Sequence, residues 1–334
     1  MIYAITGFII CAALIFFTGR NLSKYGDVIA DHLGLGKAWI GLILMASVTS
    51  LPELVVGISS VTIVGSADLA TGDVLGSCVF NLMILSVLDV FVKGKPLFTK
   101  TSTTHVMAGS MGIILVAMAG LGIFLTNDII ITPWIGLTSI AFIIVYFLAM
   151  KVIYSFERSN MPETVITDAG HKPGLIPLKK ATLLYTLNAL GVIGAALFLP
   201  GFAETIAKET GLGESFVGTL FLAASTSFPE MAVSFSALRM GSFDMAVGNL
   251  LGSNIFNILI LAIDDIFYTK GHLLKDASDS NIVSVFAVII MTSIAIAGLS
   301  FQKRGQKRFL LALDSFLILL VYIVNLIILY QLTS

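Results

Sequence analysis

Ten blocks of mostly apolar residues, each about 20 residues long, dominate this chain, and each is long enough to cross a hydrocarbon core of about 30 Å. They fall at 2–19, 38–63, 69–91, 105–125, 129–150, 181–200, 215–240, 243–267, 281–300 and 309–331. A soluble protein of 334 residues needs charged surface to cover its core, and here only 12% of residues are charged, against roughly 25% in ordinary soluble domains. The expectation is therefore an all-α integral membrane protein with ten transmembrane helices, its bulk partner the lipid bilayer. The first block lacks a basic stretch before it and a small-residue cleavage site, so it reads as a retained helix and not a signal peptide. Net charge is −1, which offers nothing to nucleic acid. Cys11 and Cys78 lie inside apolar blocks and read as small core hydrophobes, with no disulfide or redox role. No obligatory protein partner is evident.

Orientation follows from the basic residues. With the N-terminus outside, the inward connections are 20–37, 92–104, 151–180, the turn at Arg239, and 301–308, and they hold 16 of the 19 Lys and Arg residues. Local Lys/Arg excess marks the cytoplasmic side, so both termini are expected outside. The one long polar connection, 151–180, separates a first five-helix unit at 1–150 from a second at 181–334.

The two units repeat one another. Gly36–Glu53, GKAWIGLILMASVTSLPE, aligns with Gly213–Glu230, GESFVGTLFLAASTSFPE, and Gly72–Leu85, GDVLGSCVFNLMIL, aligns with Gly248–Leu261, GNLLGSNIFNILIL. In the second pair eight of 14 positions are identical, where composition alone gives about one or two. The repeated regions span 36–91 and 213–267. Five helices per unit is an odd number, so the copies cross the membrane in opposite senses. That is the inverted-repeat plan of many secondary transporters, with a substrate site near the midplane.

Of the twenty Asp and Glu residues, only Glu53 and Glu230 fall near the middle of a span. A carboxylate there costs about 2.5–3.5 kcal/mol and calls for a cation, a proton or a wet cavity. No Lys, Arg or His lies at comparable depth in any span, which leaves an ion site or a protonated structural acid. Pro52 and Pro229 precede the two acids and free carbonyls around Val48 and Ser225. One proline would fit a simple kink; two at matching places beside the only deep acids point to broken helices lining a polar cavity. Thr49, Ser50, Thr226 and Ser227 add hydroxyls within a turn of the acids. Ser77 and Asn81 share a helix face, as do Ser253 and Asn257, each pair four residues apart. Such side chains more often join helices than bind ions, but beside a duplicated acid they read as ligands. The donor set is all oxygen, which suits a hard cation such as Ca²⁺.

The glycine pairs Gly72/Gly76 and Gly248/Gly252 read as close-packing faces. Asp73, matched by Asn249, reads as an interfacial carboxylate, with a group at the site's entrance or one supporting its ligands as the alternative. Asp89, Asp264, Asp265 and Asp314 lie near span ends and read as solvated, and His32, His105, His171 and His272 are assigned to no site.

TSLPE with GDVLGSCVFN, repeated as TSFPE with GNLLGSNIFN, resembles the two α-repeats of the calcium/cation antiporter superfamily. The resemblance covers most of both halves. It implies ions held between broken second and seventh helices and the third and eighth, with ligands at Glu53, Glu230, Thr49, Thr226, Ser50, Ser227, Ser77, Ser253, Asn81 and Asn257. It further implies the backbone oxygens of Ala46 and Ala223 as ligands. The T-S-[LF]-P-E form is similar to the sodium-coupled branches, whereas proton-coupled members tend to carry G-N-A-x-E. Asn257 stands where potassium-dependent members have Asp, which argues against potassium dependence. The implied activity is exchange of Ca²⁺ for Na⁺ with no cofactor and no enzymatic step, in a prokaryotic inner membrane; Ca²⁺/H⁺ exchange is the alternative. An intramembrane serine hydrolase would need a buried base for Ser50 or Ser227, which the spans do not offer. A cation channel suits two broken helices less well than alternating access does.

Overall fold

The computed structural model describes residues 1–32, 46–125, 135–160, 176–301 and 311–333. Residues 36–45 of the first repeated motif, the starts of the expected second, fifth and tenth spans, and residues 161–175 of the 151–180 connection lie outside the described residues.

The described chain forms ten membrane segments. These are α1 (Ile2–His32), α2 (Ala46–Thr49 and Leu51–Ser59, continued by a π turn Ser60–Val64), α3 (Ala67–Phe91), α4 (His105–Phe124) and α5 (Leu137–Asn160). The second unit contributes α6 (Leu178–Thr210), α7 (Glu214–Thr226 and Phe228–Arg239), α8 (Phe243–Phe267), α9 (Asn281–Phe301) and α10 (Leu313–Thr333). Eight are unbroken and long and apolar enough to span a bilayer, and α7 bends by 46° at its break. The protein is a multi-pass, all-α membrane protein built as two inverted five-helix repeats. Several helices outrun their apolar blocks. α1 continues to His32, and both ends of the expected 151–180 connection are helical, α5 running to Asn160 and α6 starting at Leu178.

Local sequence sets the breaks. α2 joins α3 through Gly65, at φ +79°, and Ser66, whose hydroxyl caps α3 by accepting from the Leu69 N–H at 3.1 Å. α7 joins α8 through Gly241, at φ +77°. These left-handed backbones cost a glycine little and let consecutive helices fold back at once. Pro177 and Pro96 cap the starts of α6 and of the short 3₁₀ helix Leu97–Lys100, where a missing N–H costs nothing.

Packing divides the helices into two layers around a central group. A large core cluster joins α3 and α8 to α4, α5, α9 and α10, through Leu75, Leu82, Leu115, Phe142, Ile258 and Met291 among others. A smaller cluster seats α1 and α6 against α2 and α7. The four segments α2, α3, α7 and α8 lie between, and the glycine faces bring them together. A β-carbon on Gly76 would lie 2.5 Å from Thr219 Cα and 2.8 Å from Ala223 Cβ, so α3 sits directly on the backbone of α7 in the other repeat.

Pairs of aspartates fasten one repeat to the other at both faces. Asp89 accepts from the Leu97 N–H (2.7 Å) and from the Ala312 N–H ahead of α10 (2.9 Å). Asp265, its counterpart, accepts from the Leu273 N–H (2.7 Å) and the Ser139 hydroxyl in α5 (2.5 Å). Asp68 accepts from the Ser278 N–H and the Asn281 amide at 2.6 and 3.1 Å. Asp244 accepts from the Ser102 N–H at 2.6 Å and lies 3.0 Å from His105 Nε2. The expectation of solvated carboxylates at 89, 264 and 265 is corrected: all three are buried, Asp89 and Asp265 against these donors and Asp264 with neither oxygen hydrogen-bonded. A charge near a span end need not face water when backbone N–H groups of a returning segment satisfy it.

Candidate cation-binding site

The two acids sit in matched local frames. Ser50 and Ser227 stand at the helix breaks, with ψ of 15° and 8°, and Glu53 and Glu230 occupy the first turn of the half-helices that follow. The N-terminus of a helix carries the positive end of its dipole, so each carboxylate is met by partial positive charge without any basic side chain. S-x-x-E is also the capping-box spacing, yet neither serine caps its own helix. The hydroxyls are exchanged instead: Ser50 donates to Glu230 Oε1 at 2.9 Å, and Ser227 donates to Glu53 Oε1 at 3.0 Å.

The remaining hydroxyls follow the same two-fold pattern. Ser77 donates to Glu53 Oε1 at 3.4 Å and Ser253 to Glu230 Oε1 at 3.5 Å. Thr49 and Ser253 hydroxyls lie 3.4 Å apart, and those of Thr226 and Ser77 3.3 Å. Thr49 and Thr226 hydroxyls also reach back to the backbone oxygens of Ala46 and Ala223, at 3.2 and 3.3 Å. The structure therefore brings ten of the twelve expected residues into one cluster at the meeting of α2, α3, α7 and α8. Asn81 and Asn257 stand a turn further along α3 and α8. Asn81 donates to the Asn254 side-chain oxygen at 3.0 Å, and Asn257 donates to Cys78 Sγ at 3.8 Å.

All of these side chains are fully buried, and four of their oxygens have no hydrogen-bond partner: Glu53 Oε2, Glu230 Oε2, Asn81 Oδ1 and Asn257 Oδ1. These are acceptors only, two from each repeat. A buried acceptor without a donor forfeits its solvation, and a buried carboxylate forfeits more. Among the described residues the ion pairs are Met1 with Glu209, His105 with Asp244 and Lys208 with Glu204, so no basic side chain reaches the centre. Acceptor-only oxygens around two uncompensated acids fit a hard cation.

Two further buried residues adjoin the cluster. Asp73, expected at the interface, is fully buried and lies 3.1 Å from the Thr226 hydroxyl. Its signal was present, since it lies one turn from Ser77 on the same face of α3. Asn254 bridges α3 and α8 by donating to the Cys78 backbone oxygen at 3.1 Å. Its counterpart in the first repeat is Cys78 itself, so the duplication that exposed the other residues hid this one.

The sequence model for the sodium/calcium exchanger protein family matches residues 3–154 and 180–331. The chain is 25% identical over 308 residues to the inner membrane protein YrbG of Escherichia coli (strain K12), covering 92% of this chain and 91% of that one. It is 32% identical over 155 residues to the sodium/calcium exchanger MaX1 of Methanosarcina acetivorans, covering 45% of this chain and 40% of that one. Among solved structures, the sodium-calcium exchanger NCX_Mj shares the fold with a TM-score of 0.63 at 20% identity, over 98% of both chains.

Proposed function

This chain belongs to the sodium/calcium exchanger family, and from that membership we propose that it exchanges Ca²⁺ for Na⁺ across a cell membrane by alternating access. That it is a membrane transporter of cations, and not an enzyme, follows from the family; the counter-ion and the ligands are our reading. The observation that carries it is the exchanged pair of bonds at the centre, Ser50 to Glu230 and Ser227 to Glu53. Each acid is oriented by the opposite repeat, so the cation site belongs to the interface and changes when one repeat moves against the other. Two carboxylates balance one divalent charge. The free oxygens of Glu53, Glu230, Asn81 and Asn257, with the hydroxyls of Thr49, Ser50, Ser77, Thr226, Ser227 and Ser253 and the backbone oxygens of Ala46 and Ala223, supply more than the six to eight ligands Ca²⁺ takes. Na⁺ would use subsets of the same oxygens. Because the two ions share ligands, occupation by one excludes the other, which is the requirement for exchange.

Sodium is favoured as the counter-ion by the T-S-[LF]-P-E motif and by likeness to a sodium/calcium exchanger. Proteoliposomes loaded with Na⁺ should accumulate ⁴⁵Ca²⁺ on dilution into Na⁺-free buffer. Uptake that ignores the Na⁺ gradient and follows an imposed pH gradient would replace Na⁺ by H⁺.

We also propose a prokaryotic inner-membrane location with both termini outside, on the strength of the Lys/Arg asymmetry. Cysteines placed at the exposed positions of Lys95 and Lys275 should then react with impermeant maleimides from opposite sides. Labelling from one side would undo the assignment.

A further inference from the structure

The α2–α3 turn, the start of α7 and the end of α8 meet at one face of the protein. Ser66 hydrogen-bonds to Glu214, and Lys270 donates to the Gly65 backbone oxygen at 3.4 Å. Just inside this face are two carboxylates that the central site does not use. Asp73 lies one turn before Ser77 on α3. Asp264 lies in the last turn of α8, its carboxylate packed against Gly57, which is one turn past Glu53 on α2. A β-carbon on Gly57 would stand 2.3 Å from Asp264 Oδ2. Both aspartates are fully buried, and neither Asp264 oxygen nor Asp73 Oδ2 has a hydrogen-bond partner. The charge of Asp73 acts on both Asp264 and Glu53. Unpartnered buried hydroxyls of Ser60 and Thr71 lie at the same end.

Among the described residues the opposite face has no matching pair of acids. Asn249 replaces Asp73, Ser234 replaces Gly57 and Leu88 replaces Asp264. There Asn249 donates to the Ser234 hydroxyl at 3.1 Å, and Ser234 donates to the Ala246 backbone oxygen at 3.3 Å, so the space is filled by neutral groups, of which Asn249 Oδ1 alone lacks a partner. The repeat thus conserves its centre and diverges one turn away. At one end it removes a side chain, at Gly57, where the other end fills the position, and it sets an acid into the room that leaves.

We propose that Asp73 and Asp264 form a second divalent-cation station, one turn from the central acids and on one face only, which holds Ca²⁺ on its way between that face and the centre. This rests on the antiport reading for its purpose but not for its chemistry. Two buried carboxylates with three unpartnered oxygens call for a compensating cation or a proton, and acceptor oxygens from two helices suit the cation. By the Lys/Arg asymmetry the face is the outer one. A station there lowers the Ca²⁺ concentration needed from that side and leaves the other side unaffected.

The test is the sidedness of ⁴⁵Ca²⁺ transport in right-side-out and everted vesicles. Asp264→Asn and Asp73→Asn should each raise KM for Ca²⁺ by about tenfold from the α2–α3 face and by less than about twofold from the other. Gly57→Ala, which crowds Asp264 aside without altering charge, should reproduce the shift. Equal shifts from both faces, or none, would overturn the station while leaving the antiporter intact. Equilibrium ⁴⁵Ca²⁺ binding separates the two readings further. Purified Glu53→Gln protein should keep about one Ca²⁺ per chain and lose it when Asp264→Asn is added. No binding to Glu53→Gln, or binding that survives the double substitution, refutes the station even if the wild-type protein moves no Ca²⁺.

Discussion

The centre of the molecule and its two ends differ in how faithfully the repeats match. At the centre each serine-to-glutamate contact in one repeat has its mate in the other, to within 0.1 Å in the exchanged serine bonds at 2.9 and 3.0 Å. One turn outward the match fails: two acids with three unpartnered oxygens at one end face a neutral group at the other, in which Asn249 Oδ1 alone lacks a partner. An alternating-access site must bind the same ion from both sides, which favours equivalence where the ion rests. The approaches see different solutions and are free to diverge. Symmetry in such a protein therefore marks the resting place of the ion, and asymmetry marks direction.

The hardest blow to this comparison would come from the two acids. Glu53→Gln and Glu230→Gln each preserve shape while removing one negative charge from a site that water cannot compensate. Each should abolish Ca²⁺ transport, equally, with the protein still monodisperse in detergent. Asp314→Asn, where the carboxylate meets the Ser315 N–H at 2.8 Å at the start of α10, should leave flux nearly intact. If one Gln variant retained near-normal flux, the equivalence of the repeats would be lost.

Packing comes next. Gly76→Val places its side chain against Thr219 Cα and should cost about 3 kcal/mol as α3 is pushed off α7. Thermal unfolding in detergent would show it. A smaller effect awaits Asp89→Asn and Asp265→Asn, which replace an acceptor of two hydrogen bonds by a group that can turn a donor toward one of them. Each should lower stability by about 1–3 kcal/mol, and similar losses would confirm that the two fasteners are equivalent while the flanks are not. Last, Cys78→Ser should shift stability by less than about 1 kcal/mol and leave the KM for Ca²⁺ nearly unchanged. Cys78 departs from its repeat mate Asn254, and its thiol makes two long contacts of 3.8 Å, accepting from the Asn257 amide and donating to the Asn254 backbone oxygen.

Much of this architecture is readable from the chain before any coordinates. The apolar blocks set the helix count, because crossing lipid demands a fixed length. Duplication then singled out Glu53, Glu230, Ser50, Thr49 and their mates, since a residue repeated across an inversion stands out against an apolar background. What stayed hidden was asymmetric or non-local. Asp264 has no acidic mate, and its burial depends on Gly57 lying opposite, a juxtaposition that no spacing along α8 reveals. Asp89 and Asp265 read as solvated because the backbone N–H groups that hold them arrive from distant turns, at Leu97, Leu273 and Ala312. Helix ends were also misjudged where polar residues continue a helix beyond its apolar block, as from Arg20 to His32 in α1.

The exchanged serine bonds bear on biosynthesis as well. Glu53 waits for a hydroxyl that lies 174 residues further along the chain, and a ribosome needs about 10–35 seconds to deliver it. Through that interval the emerging first half carries an acid at membrane depth with neither its serine nor its companion helix. It must therefore wait at the water boundary or as the neutral acid. The half-helix at Leu51 becomes a settled membrane element only when α7 arrives. Either half made by itself would be an incomplete insertion intermediate, and the two halves made as separate chains would have the means to complete one another.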